Sequence, residues 1–306
     1  MNRWITGVAI LVLAAPTAVV AGPGTTASDV FSFARSARLE VLGMGTALPG
    51  DATALARNAA ALGGVEELSA AITYQDWYVD TSVTRASLAG PGPIGGGAFA
   101  VDVVYLSESE VLDLDPETGT FTDRYSNDQF GLAAGYGAPL PWVENVDFGG
   151  QVQFARRRLL DESASTVGIG AGLAAGWWGG ALRAGISLNN LATDTDFGGG
   201  AEPAEWGLAG GLALRVGPGD PESVRGTLCT DIVKTRSLDV GATIGGEIEI
   251  GTHVALRIGY DGTTEDAAWR YGIGLAVGGW VLDYALVEHE TLGGTDTVSL
   301  RHSFGR

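Results

Sequence analysis

Large apolar residues recur at every second position through most of the chain beyond residue 65. Phe99, Val101, Val103 and Tyr105 alternate with Ala100, Asp102 and Val104. Phe130, Leu132, Ala134 and Tyr136 alternate with Gly131, Ala133 and Gly135. The same rhythm runs through Leu182–Asn189, Trp206–Val216, Val240–Ile250, Val254–Tyr260 and Trp269–Val277. In a strand, residues i and i+2 share a face. One face of each segment is therefore bulky and apolar, and the other is glycine, alanine or polar. A water-facing coat would need more charge than the second face carries. The pattern predicts strands whose bulky side meets lipid and whose small-residue side faces a lumen, the signature of membrane barrels. Segments counted from Glu67 to Phe304 give about 14 strands, an even number as in single-chain bacterial barrels. The predicted fold is all-β: a transmembrane antiparallel β-barrel over residues 65–306, closed because no strand edge can stay unpaired in hydrocarbon.

Turn signals fall between these segments at Glu144-Asn145, Asp161-Glu162, Gly217-Pro218-Gly219-Asp220 and Asp261-Gly262. The longest predicted loop runs from about Ser107 to Asn127. Trp142, Trp178, Trp206, Trp269, Trp280, Tyr105, Tyr136 and Tyr260 lie at strand ends, where amphipathic rings form interfacial girdles. The stretch from Thr166 to Leu182 is apolar enough to suggest a helix, but its glycines and its two-residue period read as strand. Val298, Leu300, His302 and Phe304 share one face of the last strand. A terminal amphipathic strand ending in an aromatic resembles the signal read by the barrel-assembly machinery, which would be a partner during insertion.

Residues 22–64 do not alternate. Asp51 to Leu62 has helical propensity, with Asp51 as N-cap and Leu55 and Leu62 on one face. A short helical piece ahead of a small-residue lumen predicts a hatch folded inside the barrel. Ala34-Arg35-Ser36, Gly43-Met44-Gly45-Thr46-Ala47-Leu48, Asp51-Ala52-Thr53-Ala54-Leu55 and Asn58 resemble the opening of PorV/PorQ-type proteins, relatives of the FadL outer-membrane transporters. Gln75-Asp76-Trp77, Gly119-Thr120-Phe121 and the run from Leu282-Asp283-Tyr284-Ala285 through Leu292-Gly293 to Phe304 extend the likeness. Arg57 stands where that family has an aromatic residue, and Ala59 where it has proline. The resemblance implies a hatch in which Gly43, Gly45, Asp51 and Asn58 take part.

The first residues read as an address. Arg3 precedes an apolar run from Ile5 to Ala15, and Ala18-Val19-Val20-Ala21 supplies small residues at a cleavage site. Residues 1–21 are a predicted signal peptide, and export places the chain in the outer membrane of a diderm bacterium. No cysteine follows the cut, which argues against a lipid anchor.

Composition narrows the chemistry. The chain of 306 residues has 48 glycines and only 11 prolines, a balance suited to close backbone packing in a β-protein. The net charge of −18 excludes nucleic acid, because phosphates would find no counter-charge. It reads either as a solvated acidic surface or as acidic loops that attract cations. Cys229 is single, so no internal disulfide forms, and no base stands beside it to make it a nucleophile. His253, His289 and His302 have no metal-ligand spacing, and Ser299 and His302 differ in parity. No catalytic residue, metal or cofactor is predicted. Arg156-Arg157-Arg158 ends a strand, as a collar at lipid headgroups or as a patch for anionic lipopolysaccharide or a protein. Asp231, Glu247 and Glu249 have lumen parity, where they tune a polar path or bond the hatch. Three functional readings follow. The first is FadL-like uptake of a hydrophobic or amphipathic small molecule. The second is a PorV-like accessory role in type IX secretion or surface attachment, with secretion-system proteins as partners. The third is a structural barrel with a filled lumen. Outer-membrane lipid is a partner in all three.

Overall fold

Alternation of this kind satisfies every backbone hydrogen bond only if the first and last strands meet. In the computed structural model they do. The structure describes residues 30–305 except 34, 79–80, 109–110, 115–120, 126, 160–161, 198–199, 264–267 and 290–292. The predicted signal peptide at 1–21, residues 22–29 and the tip of the predicted 107–127 loop lie outside the described residues.

The strands are β1 (Ser69–Trp77), β2 (Thr81–Pro91), β3 (Ala98–Glu108), β4 (Val111–Leu114), β5 (Phe121–Tyr125) and β6 (Asn127–Pro139). They continue as β7 (Val146–Leu159), β8 (Glu162–Trp177), β9 (Leu182–Ala192), β10 (Thr195–Asp196), β11 (Ala201–Glu202) and β12 (Gly207–Val216). The last six are β13 (Arg225–Thr235), β14 (Gly241–Ile250), β15 (Val254–Asp261), β16 (Ala268–Val277), β17 (Trp280–His289) and β18 (Gly293–Ser303). Pairs β4–β5 and β10–β11 form two-stranded ribbons in loops, and the remaining 14 strands close one antiparallel barrel. Closure is the β1–β18 pairing, with Ser69 opposite Ser303 and Asp76 opposite Asp296.

The pleat sorts residues as the alternation predicts. Ile72, Leu88, Val101, Leu132, Val152, Ile169, Ile186, Leu212, Leu228, Ile244, Leu256, Ile273, Leu282 and Leu300, one from each barrel strand, are all exposed. A soluble protein does not present an unbroken apolar belt to water. Facing hydrocarbon, the belt is the stable choice. Aromatics gather in two rings. Phe99 and Tyr136, and Trp280 stacked on His302 at 4.2 Å, lie at the end holding Ser69 and Ser303. Tyr260 and Trp269, 5.3 Å apart, lie at the opposite, distal end. Trp206 departs from the girdle expectation: it precedes β12 and lines an internal cavity. His289 is the last residue of β17.

Among the described residues, the register between barrel strands shifts once. At the end of β9, Asn190 adopts φ 55°, and the β8–β9 register shifts between Ile169 and Ala171. Asn189 and Asn190 then both turn away from the belt, and Leu191 is exposed. A bulge of this kind re-aims side chains.

The segment before the barrel lies inside it. Val30, Phe31, Ala54, Leu55, Ala59, Ala61 and Leu62 are buried with Val83, Val104 and Ala133 of the wall. The helix expected from Asp51 to Leu62 is replaced by two 3-10 turns, Ala54–Ala56 and Ala59–Gly64, broken at Arg57 and Asn58. Asp51 does not cap a helix. Its carboxylate accepts from Thr53 N and Thr53 Oγ1 and closes a local turn, a common use of aspartate in loops. Asn58 is the cap, accepting from Ala60 N at 3.0 Å. The α-helix of the hatch is earlier, α1 (Ala37–Leu42), with Ser36 as N-cap.

Candidate functional site

Three layers occupy the lumen: a cavity at the distal end, the hatch across the middle, and ion pairs at the end holding the termini of the barrel.

The hatch layer is held by the wall on every side. Asp231 accepts from Gly45 N and Thr46 N, both at 3.0 Å. Gly43 and Gly45 have φ of 89° and 60°, a region that favours glycine, and the loop they form presents those two amides. Glu247 accepts from Arg38 of α1 at 2.6 and 2.9 Å and from Arg257 at 2.6 Å. Arg257 reaches on to Asp283 at 2.6 Å. Four charges thus form one buried chain between hatch and wall. Arg270 donates to Glu40 O at 2.7 Å, Ser299 accepts from Ala37 N at 2.7 Å, and Arg85 donates to the carbonyls of Phe31 and Phe33. On the other side, Gln151 and Asn189 donate to the carbonyls of Leu55 and Arg57. Asn58 bridges hatch and wall by donating to Thr46 O at 2.9 Å and Leu173 O at 3.1 Å.

The inward glycines have a specific use. A methyl group at Gly149 would run into the backbone of Ala59, and one at Gly259 into the carbonyl of Val41. The wall is bare there because hatch backbone touches it.

Arg57 was notable in the sequence only as a departure from the resemblance. It is 2% exposed and donates to Gly45 O at 3.0 Å, Leu48 O at 2.7 Å and Pro49 O. It gathers three carbonyls of one loop into a single fold. Burial pulls its pKa down to about 10, partly offset by Asp51. Burial raises the Asp51 carboxyl, but Arg301, 3.3 Å away, and Arg57 outweigh it and bring it to about 2. Both groups are charged at neutral pH.

The predicted residues therefore separate. Gly45 and Asp231 meet directly, and Asn58 meets the same loop at Thr46. Gly43 packs on Thr243. Glu247 binds Arg38. Glu249 lies apart, in the third layer, where it pairs with Arg215 at 3.1 Å and Arg225 at 3.4 Å. Cys229 is buried beside Leu39, Leu42 and Leu48. Ser299 faces inward, while His302 stacks on the outer Trp280. Within the arginine run, Arg157 bonds Asn127 and Arg156 bonds Ser163. Among the described residues no group of His, Cys, Asp or Glu could hold a metal.

The distal cavity was not legible as a site, because its walls come from loop ends and from the hatch. It encloses about 290 Å³ between the hatch and the strand ends. Phe31, Phe33 and Met44 form its floor, Trp77, Trp206 and Val233 its apolar sides, and Leu238, Asp239 and Thr263 its outer edge. Phe33 and Trp77 meet edge to face at 5.2 Å. Arg35, Arg85 and Arg270 also reach it, each beside a carboxylate.

No protein-family model matches the chain, and no curated protein matches its sequence. Solved structures do match in shape. The monoaromatic hydrocarbon channel CymD superposes with a TM-score of 0.61 at 11% identity, over 89% of this chain and 98% of that one. The toluene transporter TbuX of Ralstonia pickettii gives 0.58 at 13%, over 90% and 99%. A FadL homologue of Pseudomonas aeruginosa gives 0.54 at 11%, over 89% and 98%. At these identities the likeness is one of architecture: the chain has the fold of the FadL-type barrels over nearly their full length.

Proposed function

We propose that this chain is an outer-membrane barrel, exported by residues 1–21 and inserted by the barrel-assembly machinery, that takes up a small hydrophobic or amphipathic molecule. The observation that carries the reading is the distal cavity. It is concave, flanked by Phe33, Trp77 and Trp206, and stands at the barrel end where loops replace belt. Small-molecule sites have this build: mostly apolar walls with a few fixed polar groups. The hatch forms its floor, so onward passage requires the hatch to shift. The channels named above, which share the fold, support uptake over catalysis.

The circumferential bonding of the hatch favours a second reading, a structural barrel whose lumen is simply filled. The PorV/PorQ resemblance of the hatch motifs carries a third, an accessory in secretion. Purification in mild detergent with mass spectrometry of what co-purifies separates the three. Uptake predicts a bound small hydrophobic molecule that is lost when Trp206→Ala and Phe33→Ala open the cavity. A stoichiometric protein partner would overturn uptake in favour of secretion, and an empty cavity that binds no added aromatic would leave the filled barrel.

A further inference from the structure

The lipid-facing belt carries a furrow across β12 to β15. Gly226 of β13 stands between Val216 and Ile248, and Gly246 of β14 between Leu228 and Ile258. All four neighbours are large, apolar and exposed. The two glycines are diagonal neighbours on adjacent strands, so their gaps join. The furrow encloses about 480 Å³, and Leu214 and Leu256 complete its walls. The barrel itself requires neither glycine. Neither has a left-handed backbone. A methyl group on Gly246 would meet no atom within 4 Å, and one on Gly226 would first meet a methyl of Val216, at 3.2 Å. Glycine inside a strand weakens it and marks a place where something outside comes close.

The belt on either side meets hydrocarbon, so the occupant comes from the bilayer. A second barrel is convex, and a stable protein interface buries about 800 Å² on each side. A concave strip two gaps long does not supply that, but it fits a single acyl chain. Between lipid and wall there is no hydrophobic gain, and packing contacts decide. A chain in the furrow is touched from its floor and both sides, whereas an empty furrow forfeits those contacts. Val216 ends β12 and Gly226 is the second residue of β13, so the turn at 217–224 lies at the foot of the furrow. Turns at this end are short, as on the periplasmic side of such barrels. In this turn Asp220 and Glu222 are exposed, and they accept from the neutral hydroxyls of Ser223 and Thr252. Arg215 and Arg225, at the same mouth, pair with Glu249 of the inner wall. The charge left for a headgroup is negative, which attracts an ammonium and repels a further anion. We propose that the furrow holds one phospholipid of the periplasmic leaflet, with an acyl chain laid over Gly226 and Gly246 and an amine-bearing headgroup beside Asp220 and Glu222.

The test uses the purified full chain in mild detergent, stripped of lipid and then offered equal amounts of dioleoyl phosphatidylethanolamine and dioleoyl phosphatidylglycerol. Native mass spectrometry counts what stays bound. The expected result is one retained phosphatidylethanolamine per chain, several-fold over phosphatidylglycerol. Gly246→Leu fills the furrow and should abolish retention. Gly150→Leu fills an outward gap on β7, away from the furrow, and should leave retention intact. Leu228→Ala with Ile258→Ala lowers the walls without adding atoms and should weaken retention several-fold. Asp220→Asn with Glu222→Gln should remove the preference for the amine while the chain stays bound. Heat-modifiable gel mobility shows that each variant is a closed barrel. No retained lipid in the wild type, retention that the furrow variants leave unchanged, or an equal loss in Gly150→Leu would overturn the site. Phosphatidylglycerol held as well as phosphatidylethanolamine would overturn the amine-bearing class.

Discussion

The two sides of the hatch are fastened by different physics. On the side of β13 to β18, α1 lies on the wall at Gly259 as well, but it is tied there by charge: Arg38, Glu247, Arg257 and Asp283 form one chain, and Arg270 and Asp231 grip backbone groups. On the side of β6 to β9, the Ala59–Gly64 turn meets it through shape. Leu55, Ala59 and Leu62 pack into an apolar cluster, Gly149 lets backbone lie on backbone, and the amides of Gln151 and Asn189, with Arg183 on the Ala47 carbonyl, supply the bonds. Shape contacts fail abruptly when a few atoms are added. Charge contacts respond over a distance, to protons, salt and the loss of one partner. A hatch that must shift without unfolding would release at the charged side and pivot on the packed one.

The sharpest way to break this contrast is to remove the acid that joins hatch and wall. Glu247→Ala leaves Arg38 and Arg257 facing each other, with Asp283 and Asp51 as the remaining counter-charges. Stranding a charge in a buried pair costs about 3–5 kcal/mol. The expected result is a stably closed barrel whose hatch becomes protease-sensitive, with a large drop in the hatch's unfolding midpoint. Unchanged protection of residues 30–64 would show that the charge chain is not what holds α1.

The packed side is tested by adding atoms. Gly149→Val places a side chain where Ala59 backbone lies, and overpacking of this kind costs about 1–3 kcal/mol, occasionally more. Hatch protection should fall here too, but the loss relative to wild type should be the same at low and high salt, because no charge is disturbed, whereas the loss in Glu247→Ala should change with salt. A loss relative to wild type that changed with salt in the Gly149 variant would erase the distinction between the two sides.

How far the sequence foretold this arrangement follows the same division. The barrel was legible because one feature, the two-residue period, repeats along most of the strands and must agree with closure. The outward belt from Ile72 to Leu300 follows directly from it. The hatch was legible as a place, since residues 22–64 lack the period while the lumen face is small. Its details were not. Asp51 to Leu62 has helix-forming residues, yet contacts with the wall at Arg57 and Asn58 break it into 3-10 turns. Ala37–Leu42 is too short to announce itself. Asp231 and Glu247 could be placed on the inner face by parity, but their partners Gly45 and Arg38 are far away in sequence, and no local pattern reports such a pairing. Glu249 shares their parity but sits two residues nearer the mouth, where it meets Arg215 and Arg225. The distal cavity joins Phe33, Trp77, Trp206 and Leu238, residues that only closure brings together.

The smallest expected effect refines the charged side by pH. Asp51 lies at the foot of the hatch, bonded within its own turn to Thr53 and reaching Arg301 of β18 at 3.3 Å. Its folded pKa of about 2 lies below the value of about 3.9 expected in an unfolded chain. A depressed carboxyl contributes stability that is complete above the unfolded value and is lost as pH falls through the folded one. The difference corresponds to about 1–2 kcal/mol once the partial water contact of the carboxyl is allowed for. Asp51→Asn should therefore lower hatch stability by that amount at pH 7, and the gap between variant and wild type should close between about pH 4 and pH 2. Protease protection of the hatch across that range measures it. A gap that persisted at pH 2 would mean that Asp51 acts through the shape of its turn with Thr53, which asparagine cannot fully reproduce, and would move this residue from the charged side of the comparison to the packed one.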